Sequence, residues 1–224
     1  MDVIVTGSEG LIGKAVCSSL SEKGHKVHKL DLALGHDLSD EELVKRWFQA
    51  HPASALVNLF ALNDHVDPMR PSGKLMEIGL ESFRKYLDVN LSCLFSVCRE
   101  FARNNRRASI VNFTSTYGQV SPRPDLYETQ EKHIAYGVSK AGVIQLTRHL
   151  AVHWAPAIRV NCVAPGGVLN NQDESFVQAY SSHTPLGRMM KVSELPPLVE
   201  FLIGEASSYC TGAVFTVDGG WTAW

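Results

Sequence analysis

Short apolar runs alternate with longer amphipathic segments along the chain. Runs of strand length occupy residues 3–5, 27–31, 55–60, 110–113, 158–163 and 213–217. The segments between them carry apolar residues at helical spacing, most clearly at 87–101 and 136–154. Strands that alternate with helices are typical of an α/β fold, a doubly wound parallel sheet with helices on both faces. No repeat or low-complexity linker interrupts the pattern, which predicts a single domain over residues 1–224.

The first predicted strand leads directly into a glycine-rich turn and then into a helix. Glycines at 7, 10 and 13 allow a sharp turn and let a diphosphate approach the amides at the helix start, where the helix dipole favours an anion. Many strand-to-helix turns contain glycine. At the start of a βα unit, however, this spacing indicates a dinucleotide site of the Rossmann type.

Asp31 ends the second predicted strand, about twenty residues beyond the glycine turn, where Rossmann units place the acid that binds the adenosine ribose. Its carboxylate would repel the 2′-phosphate of NADP, and no arginine lies in the turn or just after Asp31. The pattern therefore predicts NAD, with NADP less favoured. The alternative is an ordinary surface aspartate at a strand end.

Tyr136 and Lys140 lie one helical turn apart on one helix face. A free tyrosine has a pKa of about 10, and a nearby positive charge lowers that pKa by favouring the phenolate. The pair is suited to transferring a proton near neutral pH. An ordinary solvated helix carries such pairs too, so this interpretation depends on the rest of the chain.

Asn90 on a predicted helix and Ser115 at the end of a predicted strand complete a recognisable set. With the glycine turn, Tyr136 and Lys140, they resemble the short-chain dehydrogenase/reductase family, and the resemblance covers essentially the whole chain. It implies an NAD-dependent oxidoreductase that interconverts a secondary alcohol and a ketone by hydride transfer. Tyr136 is implied to be the acid/base, and Lys140 to lower its pKa and bind the nicotinamide ribose. Ser115 would hold the substrate oxygen, and Asn90 would anchor a water of a proton relay.

The resemblance also implies which residues bind the cofactor. Val168 would offer backbone groups to the nicotinamide carboxamide. The full set is Gly7, Ser8, Gly10, Leu11, Ile12, Gly13, Asp31, Asp37, Leu38, Asn58, Phe60, Ala61, Tyr136, Lys140, Pro165, Gly166, Val168 and Asn170.

Several positions depart from the family pattern. Leu11 stands where the compact members have glycine, a spacing closer to that of sugar-nucleotide epimerases. Phe60 and Ala61 stand where a small residue and a glycine approach the adenosine, which would reduce cofactor affinity. Asn170 replaces the usual threonine and can make similar hydrogen bonds.

The connection after Asp31 is too short for the usual crossover. Six positions separate Asp31 from Asp37, whereas a parallel connection needs about a dozen or more residues. We expect the next strand of the family to be short or poorly formed. Asp37 and Leu38 would then contact the adenine from an irregular loop.

The segment 116–135 is longer than in compact members of the family and bears on the substrate. It contains Tyr117, Arg123, Asp125, Tyr127, Glu128, Glu131 and His133. Such a lining suits a polar, hydroxyl-bearing substrate such as a sugar; the alternative is a surface loop with no substrate role. In relatives, segment 168–188 folds over the substrate. Phe176, Tyr180 and the nearby Met189 would offer apolar contacts there, so a steroid or other 3-oxo compound stays open as the substrate.

The composition limits the classes of partner and the location that we expect for this protein. A formal charge of −2 without a clustered basic face argues against nucleic acid. No apolar run approaches membrane-spanning length, and the first strand leaves no room for a signal peptide, so we expect a cytoplasmic protein. Five cysteines, an odd number, indicate reduced thiols. His149 and His153 are expected on a helix surface, with no metal site.

Two helices, at 87–101 and 136–154, are apolar around more than one face, which predicts a partner subunit. In the resembled family these helices form a dimer bundle, and Trp221 and Trp224 would suit a second contact, so the prediction is a homodimer or homotetramer. The alternative is that these residues complete the core.

Two other functions stay open. A nucleotide-sugar epimerase or dehydratase with tightly bound NAD fits the glycine spacing, although such enzymes usually carry a further substrate domain. A non-catalytic, cofactor-sensing protein of the same fold fits the altered segment at Phe60 and Ala61.

Overall fold

The computed structural model describes residues 1–63, 74–127 and 131–224, which contain one parallel six-stranded sheet. The strand order is β2-β1-β3-β4-β5-β6. The chain starts at the interior strand β1, builds outward to the edge strand β2 and then crosses to the other side of β1, which confirms the doubly wound fold. The strands are β1 (Asp2–Thr6), β2 (Lys26–Leu30), β3 (Ala55–Asn58), β4 (Ala108–Phe113), β5 (Ile158–Pro165) and β6 (Val214–Val217).

Helices cover both faces of this sheet. Within the described residues they are α1 (Leu11–Glu22), α2 (Glu41–Ala50), α3 (Leu80–Leu87), α4 (Cys93–Asn104), α5 (Ile134–Trp154), α6 (Glu174–Ser182) and α7 (Pro196–Ile203). Alternate strand residues face opposite sides, so the sheet supplies two cores. Ile4, Leu56 and Ile110 pack in one core with α2, α4 and α5. Val5 and Val57 pack in the other with α1 and α7.

No strand lies between β2 and β3 in the described part of the chain, where the short spacing after Asp31 predicted a short or poorly formed one. A single 3₁₀ turn, Leu32–Leu34, follows Asp31, and α2 begins at Glu41. Asp37 lies in the irregular loop between them, and its Oδ1 accepts from the Ser39 backbone N–H at 2.9 Å. β2 is therefore the edge of the sheet.

The predicted third apolar run is longer than the strand it forms. β3 ends at Asn58, opposite Thr6, because β1 turns away at Gly7 with a φ of +66°. A Cβ on Gly7 would lie 2.4 Å from the Phe60 backbone nitrogen, so only glycine allows the two chains to pass this closely. The turn opens a crevice at the carboxyl ends of the strands, where doubly wound proteins bind ligands.

The cysteines and surface histidines agree with the sequence interpretation. All five cysteines are free. His149 and His153 are exposed on α5. Among the described residues there is no cluster of three or more potential metal ligands and no helix of the length and hydrophobicity needed to span a bilayer.

Candidate active site

Three of the residues singled out in the sequence meet at the carboxyl end of β4. Ser115 follows this strand; its hydroxyl accepts from the Tyr117 backbone N–H at 3.1 Å, and it lies close enough to the Tyr136 phenol to lower the pKa of that phenol. Lys140 Nζ lies 5.8 Å from the centroid of the Tyr136 ring. It donates to the Phe113 carbonyl at 3.0 Å. The arrangement places a hydroxyl, a phenol and an amine around one point.

Two glycines let α5 approach β4 closely enough for this contact. A Cβ on Gly118 would lie 2.8 Å from the Lys140 carbonyl oxygen, and one on Gly137 would lie 2.9 Å from the Tyr117 carbonyl oxygen. Thr114 Oγ1 donates to the Lys140 carbonyl at 2.6 Å and fixes the same approach. The spacing of the site is thus set by residues that carry no chemistry themselves.

The pKa of Tyr136 differs from the sequence-based expectation. Burial raises the pKa of its phenol, and the hydrogen bond from Ser115 only partly opposes that effect. The predicted lowering by Lys140 is not seen, since the ammonium donates to the Phe113 carbonyl. Tyr136 therefore keeps its proton at neutral pH. Burial also lowers the pKa of Lys140 to about 8.

The lowered pKa of Lys140 predicts how stability depends on pH. Below about pH 8 the amine is charged in both states, and folding carries the cost of burying it. Between about pH 8 and the unfolded pKa of about 10.4, the unfolded chain binds more protons, so the native state gains stability as pH rises. A Lys140→Met variant lacks this gain. Between about pH 8 and about pH 10.4, the free energy of unfolding of the variant minus that of wild type should fall by up to about 1.4 kcal/mol per pH unit.

Urea unfolding of both proteins at about pH 7 and about pH 10 measures the change. The variant leaves the Phe113 carbonyl without the Lys140 donor at both pH values, so the test compares the change in the stability difference between the two pH values and not the difference itself. If the difference in free energy of unfolding between the two proteins does not vary with pH, burial does not lower the pKa of Lys140.

Asn90 is buried within a π-helical turn, Asp88–Ser92, that joins α3 to α4. Its Oδ1 accepts from the Leu62 N–H at 2.6 Å, and its Nδ2 donates to the Leu62 carbonyl at 3.1 Å and to Ser139 Oγ at 3.0 Å. The side chain thus ties the loop after β3 to α5. The side-chain amide of Asn90 is already hydrogen-bonded to protein groups. The water of the predicted proton relay would therefore have to bind the Asn90 backbone, and the role of Asn90 in that relay stays a prediction.

The glycine loop has the features that a dinucleotide diphosphate needs. α1 begins after Gly10 with no side-chain cap and no acidic residue in its first turn. A Cβ on Gly13 would lie 2.1 Å from the Gly7 carbonyl oxygen, so the loop is closely packed on the helix. Ser8 Oγ is buried and has no hydrogen-bond partner among the described residues. A buried hydroxyl left without a partner is costly, and a cofactor phosphate would supply one.

Asp31 lies beside this loop, as predicted. Its Oδ2 accepts from the Glu9 N–H at 2.9 Å and its Oδ1 from the Ala33 N–H at 2.8 Å. Glu9, which the sequence interpretation did not single out, adds a second carboxylate and pairs with Lys29 at 3.0 Å. A 2′-phosphate would meet two carboxylates here, with the nearby lysine already paired.

The remaining adenosine-side positions differ in exposure. Asn58 is buried; its Oδ1 accepts from Thr6 Oγ1 at 3.0 Å, and its Nδ2 donates to Asn112 Oδ1 at 2.9 Å. This amide therefore joins β1, β3 and β4. The other predicted positions fall into two groups: Ile12, Leu38 and Phe60 are partly buried and pack against the cores, while Leu11, Asp37 and Ala61 are exposed.

The loop after β5 is fixed by an aromatic cluster. Pro165 ends β5 and the loop begins at Gly166, and the Gly167 N–H donates to the Tyr180 hydroxyl at 2.6 Å. The Tyr180 ring stacks on Trp221 at 4.3 Å. Both rings are buried, so the prediction of Trp221 as a subunit contact is wrong: its ring completes the core of its own chain. Trp224 is exposed.

Gln172 holds the part of this loop that is predicted to face the nicotinamide. Its Nε2 donates to the Val168 carbonyl at 2.9 Å, and its Oε1 accepts from the Asn170 N–H at 2.6 Å. The sequence interpretation missed it, although a glutamine two residues after Asn170 is a suitable partner for a turn.

The loop before α5 divides into a buried and an exposed part. The hydroxyls of Tyr117 and Tyr127 lie 2.9 Å apart, and both rings are half-buried. Arg123 and Asp125 are exposed and pair with each other at 3.2 Å, so the expectation that they line the site is wrong. Glu128 lies outside the described residues.

Lys132 is a residue near the site that the sequence interpretation passed over. It is buried, and its Nζ lies 4.6 Å from the centroid of the Tyr136 ring, closer than that of Lys140. It precedes α5, in a polar loop that carries no distinctive motif.

Comparisons with known proteins extend over almost the whole chain. A family model described as enoyl-(acyl carrier protein) reductase matches residues 12–222. Glucose 1-dehydrogenase of Gluconobacter oxydans is 31% identical over 98% of this chain and 91% of its own length. The uncharacterized short-chain type dehydrogenase/reductase y4vI of Sinorhizobium fredii is 32% identical over 98% of this chain, which spans only 43% of that protein. The crystal structure of a short chain dehydrogenase from Leptospira borgpetersenii with bound NAD⁺ matches with a TM-score of 0.89 and 29% identity, covering 99% of this chain and 92% of that one.

Proposed function

This chain belongs to the short-chain dehydrogenase/reductase family, and we propose that it is an NAD-dependent enzyme interconverting a secondary alcohol and a ketone, as its relatives named as alcohol or sugar dehydrogenases act on CH–OH groups. The observation that carries the proposal is the meeting of Ser115, Tyr136 and Lys140 beside the crevice.

Each of these residues has a role that its surroundings support. The Ser115 hydroxyl holds the substrate oxygen next to the phenol. Tyr136 exchanges a proton with that oxygen, and its raised pKa keeps the phenol protonated at neutral pH, the state from which a ketone can be protonated. Alcohol oxidation requires Tyr136 to lose its proton first, so that direction should become faster as pH rises. Lys140 is charged below its pKa of about 8 and donates to the Phe113 carbonyl; its proposed role is to bind the nicotinamide ribose.

Bound NAD supplies the hydride acceptor in this proposal. The glycine loop from Gly7 to Gly13, with the unpartnered Ser8 hydroxyl, would hold the diphosphate. Asp31 would bind the adenosine ribose, and Val168 the carboxamide. The NAD⁺ bound to the Leptospira relative supports a nicotinamide cofactor for this chain.

The preference for NAD over NADP is tested by Asp31→Asn. Removing the charge should weaken NAD binding by about tenfold, because hydrogen bonds to charged groups contribute about 1.5–3 kcal/mol. It should tighten NADP binding, because one of the two carboxylates that face the 2′-phosphate is neutralised. Calorimetric titration with each cofactor measures both constants. A wild-type protein that binds NADP more tightly than NAD would overturn the proposal.

A polar substrate of the sugar class is the proposed ligand. The phenols of Tyr117 and Tyr127 lie near Tyr136 and can hydrogen-bond hydroxyl groups. The similarity to a glucose 1-dehydrogenase supports this class. The buried positions of Tyr180 and Met189 give less support to a steroid, since both side chains already pack within the protein.

One assay separates this function from the epimerase alternative, which the spacing of Gly10, Leu11 and Gly13 favours. Purified protein is incubated with NAD and a panel of sugars, polyols and hydroxysteroids, and NADH absorbance and products are followed. Net NADH supports the proposed dehydrogenase. Product without net NADH supports an epimerase or dehydratase, and cofactor binding with neither result supports a non-catalytic sensor.

A homodimer is the proposed assembly. Phe95 on α4 and Val138 and Val152 on α5 are exposed apolar side chains on the two helices predicted to meet a partner. A homotetramer stays a prediction, with Trp224 its remaining candidate contact. The free cysteines agree with a cytoplasmic location, which also stays a prediction.

A further inference from the structure

Tyr180 joins helix α6 to the loop that follows β5. Its hydroxyl accepts from the Gly167 N–H at 2.6 Å, and its buried ring stacks on Trp221 with the two centroids 4.3 Å apart. A Cβ on Gly167 would lie 2.7 Å from Tyr180 Cζ, so only glycine at this position lets the phenol approach the backbone so closely. The contact therefore depends on the residues of both segments.

The same loop leaves an amide for a ligand at Val168. The amides of residues 166, 167, 169 and 170 donate to protein acceptors, which are, in that order, the Val217 carbonyl, the Tyr180 hydroxyl, the Met190 carbonyl and Gln172 Oε1. Among the residues that the structure describes, the Val168 N–H has no protein acceptor. This N–H is the group that the proposed function assigns to the nicotinamide carboxamide.

Gly166 and Gly167 make the direction of that N–H depend on outside contacts. Glycine lacks a Cβ and populates more backbone conformations than any other residue, so two in succession do not fix the peptide planes that follow. The Gly167 carbonyl accepts from the Met190 N–H at 2.9 Å, and the Gly167 N–H donates to Tyr180. Without the Tyr180 hydroxyl, the peptide between the two glycines would lose this restraint, and the Val168 N–H would be less well oriented.

Contacts with the loop before α5 hold Tyr180 in place. Leu126 of that loop belongs to the same buried cluster as Tyr180 and Trp221. Asp125 pairs at 3.1 Å with His183, which directly follows α6. Burial raises the pKa of the Tyr180 phenol to about 12, so its hydroxyl stays neutral at working pH. The acceptor for the Gly167 N–H thus has a fixed place and a constant charge.

We propose that Tyr180 is a positioning residue for the cofactor: by accepting the Gly167 N–H, it orients the Val168 N–H toward the carboxamide of the nicotinamide. The inference rests on the proposed function, which supplies the cofactor, and adds to it a residue that acts through the loop after β5. Loss of the hydroxyl should therefore weaken binding of the nicotinamide half of the dinucleotide and leave binding of the adenosine half unchanged.

The test compares NADH with ADP-ribose, which has the same adenosine, diphosphate and second ribose but lacks the nicotinamide ring. Calorimetry measures the dissociation constants of both ligands for wild type, Tyr180→Phe and Tyr209→Phe. Phenylalanine keeps the ring that stacks on Trp221, so the aromatic cluster should persist. Tyr209 is fully exposed, which makes Tyr209→Phe the matched control for the loss of a phenol oxygen.

In wild type, NADH should bind more tightly than ADP-ribose. In Tyr180→Phe the dissociation constant of NADH should rise by about 3- to 10-fold, the contribution of one neutral hydrogen bond, while that of ADP-ribose should change by less than about twofold. Tyr209→Phe should match wild type with both ligands.

Three outcomes would overturn the inference: wild type binds the two ligands equally, Tyr180→Phe binds NADH as wild type does, or Tyr180→Phe binds both ligands more weakly by the same factor, as loss of a purely structural hydroxyl would cause. Failure of the proposed function looks different. In that case the selective loss of NADH binding in Tyr180→Phe persists, while no member of the substrate panel gives NADH with wild type.

Discussion

Replacing Tyr136 by phenylalanine is expected to lower turnover by about 10²- to 10⁴-fold, the range that a positioned proton donor contributes. The substitution removes only the phenol oxygen. The ring remains, with Lys132 at 4.6 Å and Lys140 at 5.8 Å from its centroid, so the fold and cofactor binding should change little. The variant therefore separates chemistry from binding.

Steady-state NADH formation on the best substrate of the panel measures turnover, and calorimetric titration with NAD measures cofactor binding. In wild type, the oxidation rate should also increase with pH, because the pKa of Tyr136 is raised by burial. A phenylalanine variant that retains turnover within a few fold of wild type would show that Tyr136 is not the acid/base.

Replacing Gly13 by alanine is expected to abolish useful NAD binding and to destabilise the protein. The new Cβ would lie 2.1 Å from the Gly7 carbonyl oxygen and 2.8 Å from the Ser8 carbonyl carbon. These contacts are with backbone, which cannot move without opening the glycine loop. Overpacking of this kind costs about 1–3 kcal/mol.

Thermal unfolding and NAD titration of Gly13→Ala measure the two effects. Gly79→Ala is the matched control, because a Cβ there meets nothing within 4 Å and the residue lies before α3, away from the glycine loop. The control should match wild type in both measurements. If Gly13→Ala also binds NAD like wild type, the loop does not hold the diphosphate.

Much of the fold could be predicted because its signals are local. The alternation of apolar runs with helical patterns identified every strand of the described sheet to within a few residues, and the distance from Asp31 to Asp37 predicted that the next strand of the family would be short or poorly formed. The errors of the prediction lie at the ends of the strands. β3 stops at Asn58 because the neighbouring strand β1 turns away at Gly7. The end of β3 therefore depends on a residue that is distant in sequence.

The candidate site was predicted less completely. Ser115, Tyr136 and Lys140 were recognisable from their motifs, and the structure brings them together. Lys132 and Gln172 were passed over, because a lysine or glutamine in a polar loop has no distinctive pattern. Their positions depend on the contacts of the loops that carry them.

The sequence by itself determined the doubly wound sheet, the glycine turn and the identity of the reactive side chains, since hydrophobic period and motif spacing act over short stretches of chain. Only the tertiary structure decided the protonation of Tyr136, the inward packing of Trp221 and the place of Lys132 over the phenol ring. Each of these depends on desolvation or on contacts between segments distant in sequence. No local pattern encodes which segments will meet.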